Sequence, residues 1–140
     1  TWDIPWIPHK QFETTIILPG LDLRDPCVKI RAEIADDVRR FILGYSNPEL
    51  WAWYGAYDHI ALAQLFGSMI HLPAGIPMHT NDLKQECERL GNPRVPEQVK
   101  GQHNALEDAR HNRRIHDFLV EYERHLAYDD RRLAYGMVDE

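Results

Sequence analysis

The segment ELWAWY, Glu49 to Tyr54, constrains the fold more than any other stretch of this sequence. It is short, aromatic and apolar at nearly every position, with no alternation that would mark a solvent face. That pattern suits a strand covered on both sides, as in the middle of a sheet. Such a strand cannot stand alone, because its backbone N–H and C=O groups need partners. The sequence therefore predicts further strands, supplied upstream of Thr1 or by another chain.

The rest reads as helices and connectors. Pro5, Pro8, Pro19 and Pro26 break residues 1–26 into irregular chain, with a short strand or packed turn over Phe12–Leu18. Asp25-Pro26 reads as the cap and first position of a helix over 27–43, carrying Ile30, Ile34, Val38, Phe41 and Ile42 at helical spacing. Gly55 turns the chain into a helix over 58–66, with Ile60, Leu62, Ala63, Leu65 and Phe66 inward. Pro73, Gly75 and Pro77 mark a loop with a short strand near Met78. Thr80 or Asn81 caps a helix over 80–90. The last helix, over 104–126, has Leu106, Ala109, Phe118, Leu119, Tyr122 and Leu126 as its apolar stripe, with Arg110, Arg113 and Arg114 toward solvent. Residues 127–140 read as a loosely held tail. This order suggests an α/β layer fold, one domain over 1–140 that lacks its first strands.

Bulk properties narrow the function classes. Sixteen Lys and Arg against 22 Asp and Glu give a net charge of −6. That argues against a protein that coats nucleic acid through a broad basic face, but not against an enzyme that gathers carboxylates around metal ions. Cys27 and Cys87 lie far apart, so no disulfide framework is expected and a cytoplasmic location is the simpler reading. No apolar run approaches the ~20 residues needed to span a bilayer, so no membrane partner is expected.

Two places could carry chemistry. In WAWYGAYDHIAL, a buried strand feeds a glycine turn and Asp58 stands at the start of a helix, where free N–H groups and the helix dipole stabilise a carboxylate. An isolated Asp at such a position is more often a cap than a ligand. In QHNALEDAR, His103 precedes Asp108 by five residues. On one continuous helix that offset turns the side chains apart. They can share a site only if His103 lies before the helix and folds back over it; otherwise His103 simply caps the helix. His125 and Asp130 repeat the spacing in the tail, so spacing alone is weak.

Together, ELWAWYGAYDHIALAQLFG, the proline-containing loop after it and HNALEDAR resemble the last two motifs of the DEDDh 3′–5′ exonuclease superfamily. The likeness is nearest to the mycobacterial-type 3′–5′ exoribonucleases and covers roughly Phe12 to Leu119, including FETTIILPGL. It implies an RNase H-like fold, with Asp58 and Asp108 as metal ligands and His103 as general base. The superfamily often has Asn four residues before the second-motif Asp, where this chain has Tyr54. The first-motif Asp-x-Glu occurs nowhere in the chain; Asp3, Asp22 and Asp25 make no such pair. The resemblance therefore points to an exoribonuclease chain whose first motif lies upstream of Thr1.

The implied reaction is hydrolysis of the terminal phosphodiester of single-stranded RNA or a 3′ overhang, releasing nucleoside 5′-monophosphates. Two Mg²⁺ or Mn²⁺ ions serve it, since hard oxygen ligands suit these cations. Tyr54, Tyr57 and Arg110 are candidate RNA contacts, through stacking or phosphate pairing, while Trp51 and Trp53 are expected in the core. An inactive binding or structural module, or a single-strand DNA exonuclease, are the alternatives. The open flank of the strand also leaves room for a homo-oligomer.

Overall fold

The segment after Pro26 folds as a turn before it becomes a helix. The computed structural model describes residues 22 and 24–134, so the expected strand or turn over 12–18 lies outside the described residues. Asp25 does not cap a helix. Its Oδ1 accepts from Cys27 N at 2.7 Å and its carbonyl accepts from Val28 N at 2.9 Å. A short acidic side chain that bonds its own backbone two residues on makes a turn instead. Helix α1 accordingly runs Arg31–Leu43, and Glu33 reaches back to Ile30 N at 3.1 Å.

Strand β1 is only Trp51–Ala52, followed by helix α2, Ala56–Leu65, and a single 3₁₀ turn, Met69–His71. Its neighbour is β2, Asn81–Asp82, which pairs with it in parallel, Trp51 against Asn81 and Ala52 against Asp82. Asn81 N donates to Leu50 O at 2.8 Å. This corrects two expectations. A pairing strand is supplied from within the chain, and Asn81 belongs to it rather than capping a helix. Asp82 is the cap of α3, Leu83–Arg89, accepting from Lys84 N at 2.8 Å.

The same carboxylate braces the turn after β1, accepting from Tyr54 N and Gly55 N at 3.2 Å each. Gly55 is buried against β2. A Cβ there would stand 2.9 Å from Thr80 Cγ2 and 3.2 Å from the Asn81 carbonyl. Backbone cannot yield as a flexible side chain can. Gly55→Ala is therefore expected to destabilise the chain by about 1–3 kcal/mol, the usual range for overpacking. Urea denaturation measures this, and an unshifted midpoint would show that the turn and β2 do not meet as described.

The buried core is Leu83, Cys87, Ile115 and Leu119, with Trp51, Trp53, Leu90, Val95 and Phe118 packed against it. It joins α3 to the middle of α4, Ala105–Ala134. Trp51 of β1 and Trp53 of the turn after it thus serve packing, as expected. The α4 stripe is shorter than its periodicity suggests. Leu106 and Leu126 are 58% and 40% exposed because α4 outruns α3 at both ends, and Ile115 carries the burial instead. The helix continues to Ala134, past the expected end at 126.

Burial raises the Cys87 thiol above its ordinary value. Cys27 and Cys87 are free thiols. No helix among the described residues is long and apolar enough to cross a membrane.

Helix α2 is apolar on most sides, so its periodicity could not fix which face turns inward. His59 and Ala63 are buried, whereas Ile60 is exposed. Arg31 of α1 donates to the carbonyls of Gln64 and Leu65, where the end of α2 leaves acceptors without helical partners. The apolar stripe of α1 is left largely uncovered. Only Ile42 is buried, and Phe41 stands in edge contact with Tyr45 at 5.7 Å.

Candidate active site

Two separate parts of the chain deliver Asp58 on one side and His103 with Asp108 on the other to one place. All three side chains line a cleft of about 900 Å³ between α1, β1, α2 and the first turns of α4. The same three line an adjoining cavity of about 530 Å³ that reaches toward Trp53, Gln98 and His111.

Asp58 occupies the third position of α2, in its first turn. It is exposed, and it sits where the free N–H groups of the helix favour a negative charge. Gly55, not Asp58, is the residue at the cap. The geometry of the preceding turn explains an oddity of the sequence. Tyr54 has φ of 58°, a left-handed conformation that Asn adopts more readily than Tyr. Asn is thus the residue that the backbone would favour at this place.

His103 does not cap α4. Asn104 does, its Oδ1 accepting from Leu106 N and Glu107 N at 3.2 Å each. A turn closed by Asn104 N and Gly101 O at 3.1 Å precedes it. Both Gly101, with φ of 75°, and His103, with φ of 66°, are left-handed. This backbone sets His103 just before the helix rather than on it. The five-residue offset from Asp108 then no longer separates the two side chains, and both face the cleft.

Asp108 is half-buried in the first turn of α4. Its Oδ1 accepts from Gln98 Nε2 at 2.7 Å. His111, one turn further along α4, lines the smaller cavity. Burial, aided by the Arg114 guanidinium, holds its pKa below the ordinary histidine value, against a smaller upward pull from Asp108. Gln98, His111 and Asn112 were not singled out from the sequence. His111 and Asn112 lie three and four residues after Asp108, and helical spacing alone could have found them. Gln98 had no such signal, because it comes from an irregular connector.

Tyr54, Tyr57 and Arg110 do not line either cavity. Tyr54 and Tyr57 are exposed, and Arg110 pairs with Glu107 at 2.6 Å on the outer face of α4. Arg113 does reach the larger cleft. Among the described residues, no three or more His, Cys, Asp or Glu side chains form a group that could hold a metal ion. Asp58 and Asp108 provide hard oxygen donors of the type that suits Mg²⁺ or Mn²⁺. Their number suits one weakly held ion at most.

The chain is similar to proteins of one named activity. It is 46% identical over 82 residues to a protein of Mycobacterium tuberculosis strain CDC 1551 / Oshkosh and equally to one of strain ATCC 25618 / H37Rv, each named a 3′–5′ exoribonuclease. The match covers 57% of this chain and 49% of each relative, so the chain spans about half the length of the curated relatives it matches. No family model matches the chain.

Proposed function

We propose that this chain carries part of the active site of a metal-dependent 3′–5′ exoribonuclease of the DEDDh type, built on an RNase H-like fold. The observation that supports the reading best is the shared cleft of Asp58, His103 and Asp108. Two similar proteins bearing the name 3′–5′ exoribonuclease supply the activity class.

In this reading Asp58 and Asp108 hold divalent cations, Mg²⁺ or Mn²⁺. Such ions, when bound, stabilise the attacking and leaving oxygens of an in-line displacement at phosphorus. His103 accepts the proton of the attacking water, which requires a neutral imidazole. Its place just before α4 lets it approach the cleft without being part of the helix ladder. His111, whose pKa burial and Arg114 hold below the ordinary histidine value, adds a polar group to the cavity wall. Trp53, Val95 and Pro96 give that cavity an apolar side, against which a base or sugar can rest.

A second reading rests on the donor count. Glu49, Asp58 and Asp108 line the cleft, yet no three metal-binding side chains form one group among the described residues, and without such a group the chain would serve as an inactive binding module. One experiment separates the two. A 5′-labelled single-stranded RNA and its DNA counterpart are incubated with Mn²⁺ and the chain. The same is done with the chain joined to a segment bearing an Asp-x-Glu strand. Release of nucleoside 5′-monophosphates from RNA in the joined form supports the enzyme. Binding without release in both forms supports the module, and faster release from DNA would replace the ribonuclease by a deoxyribonuclease.

A further inference from the structure

We propose that Gln98 is a positioning residue, which fixes the Asp108 carboxylate so that its second oxygen is available to a divalent cation. The inference rests on the reading of Asp108 as a cation ligand and adds to it a residue from a different element.

The geometry begins in the connector after α3. Val95 packs against the core, which anchors the connector beside α4. Gln98 follows three residues later, half-buried, while its neighbour Val99 points outward at 86% exposure. Gln98 Nε2 donates to Asp108 Oδ1 at 2.7 Å. The amide orientation follows from chemistry, because an ionised carboxylate only accepts and must face the NH₂ group. Such charge-assisted bonds are short and stronger than neutral ones. Gln102 Nε2 donates to the Gln98 carbonyl at 3.2 Å, which steadies the connector behind the contact.

Asp108 has two oxygens, and Gln98 occupies one. Oδ2 has no hydrogen-bond partner among the described residues. Asp108 N is already bonded to Asn104 O at 2.8 Å in the first turn of α4. The backbone is therefore fixed by the helix and the side-chain rotamer by Gln98. Partners that orient a metal-binding carboxylate in this way influence affinity strongly, typically by ~10–100-fold when removed. A mere latch between the connector and the helix would also use this hydrogen bond, and it would act on stability independently of any cation.

A double-mutant cycle on the full chain separates the two roles. Mn²⁺ is titrated into ¹⁵N-labelled chain, and the dissociation constant is taken from paramagnetic broadening of amide signals around Asp58 and Asp108. Gln98→Met keeps the length of the side chain and removes the donor. It is expected to weaken Mn²⁺ binding roughly tenfold, the low end of the range for such partners. In the Asp108→Asn background the same substitution is expected to change Mn²⁺ binding less than twofold, because Gln98 acts only through the carboxylate. Gln98→Ala gives the same comparison should the Met side chain disturb the connector.

Equal weakening in both backgrounds would make Gln98 a structural latch and overturn the proposal. Unchanged binding in Gln98→Met, with Asp108→Asn weakened, would also overturn it while leaving Asp108 as a ligand. No broadening near these residues, or no effect of Asp108→Asn, would remove the cation reading itself and the proposal with it.

Discussion

The 140-residue chain by itself is expected to release nucleoside 5′-monophosphates from single-stranded RNA at no more than a trace rate. Mg²⁺ demands near-octahedral oxygen coordination and gives up its water reluctantly. Of the three carboxylates that line the cleft, Glu49 accepts from Trp51 Nε1 at 3.0 Å and Asp108 from Gln98 Nε2 at 2.7 Å, and no group of three or more metal-binding side chains assembles among the described residues, so most of that coordination is left to solvent. Joining a segment that carries an Asp-x-Glu strand is expected to raise the rate by at least roughly 10²–10³-fold, the cost of losing one electrostatic stabiliser at a reacting centre. The measurement is the Mn²⁺-dependent appearance of 5′-mononucleotides with and without that segment. Full activity from the unaided chain would mean that the ligands are not the ones named here.

In the active, joined form, His103→Ala is expected to slow 3′-end hydrolysis by roughly 10²–10⁴-fold, the usual worth of a general base. Folding should be little affected. The turn that holds His103 is closed by Asn104 N and Gly101 O, both backbone groups, and α4 is capped by Asn104. Removal of an imidazole from a left-handed position also replaces a residue type that tolerates φ of 66° with one that tolerates it less. A modest loss of stability is therefore compatible with the role, and the urea midpoint must be measured beside the rate. Mn²⁺ affinity should not change, since His103 is not read as a ligand. Parent-rate release of mononucleotides from the variant would remove His103 from the mechanism.

Helix positions were largely legible, because amphipathic periodicity and punctuation by Gly and Pro are local signals. Boundaries were less so, and each error has a cause. Asp25 closes a turn on its own backbone, a choice that competes with capping at the same residue type. Asp82 looked like an ordinary helix residue. It is in fact a cap and also the acceptor for Tyr54 N and Gly55 N, 28 and 27 residues earlier in the chain. No periodicity encodes that contact. The short strand expected near Met78 forms instead at Asn81–Asp82, and its position was hard to fix for the same reason. A two-residue strand has no pattern of its own and exists through its pairing with β1.

The sequence by itself determined which residue types could do chemistry and, through a resemblance, which of them to test together. It also marked the middle of ELWAWY as inward: Ala52 is buried and Trp51 and Trp53 pack on the core, whereas Glu49 and Tyr54 at its ends are exposed, so the segment is not covered on both sides throughout. Only the tertiary structure decided whether Asp58, His103 and Asp108 face one cleft. That outcome depends on the left-handed turn over Gly101 and His103 and on the packing of α4 against α3, which together bring the start of α4 beside the start of α2. The partner of Asp108 was likewise decided in three dimensions. Gln98 comes from an irregular connector, and a hydrogen bond between such a segment and a helix follows from where the core anchors the connector, not from any spacing along the chain.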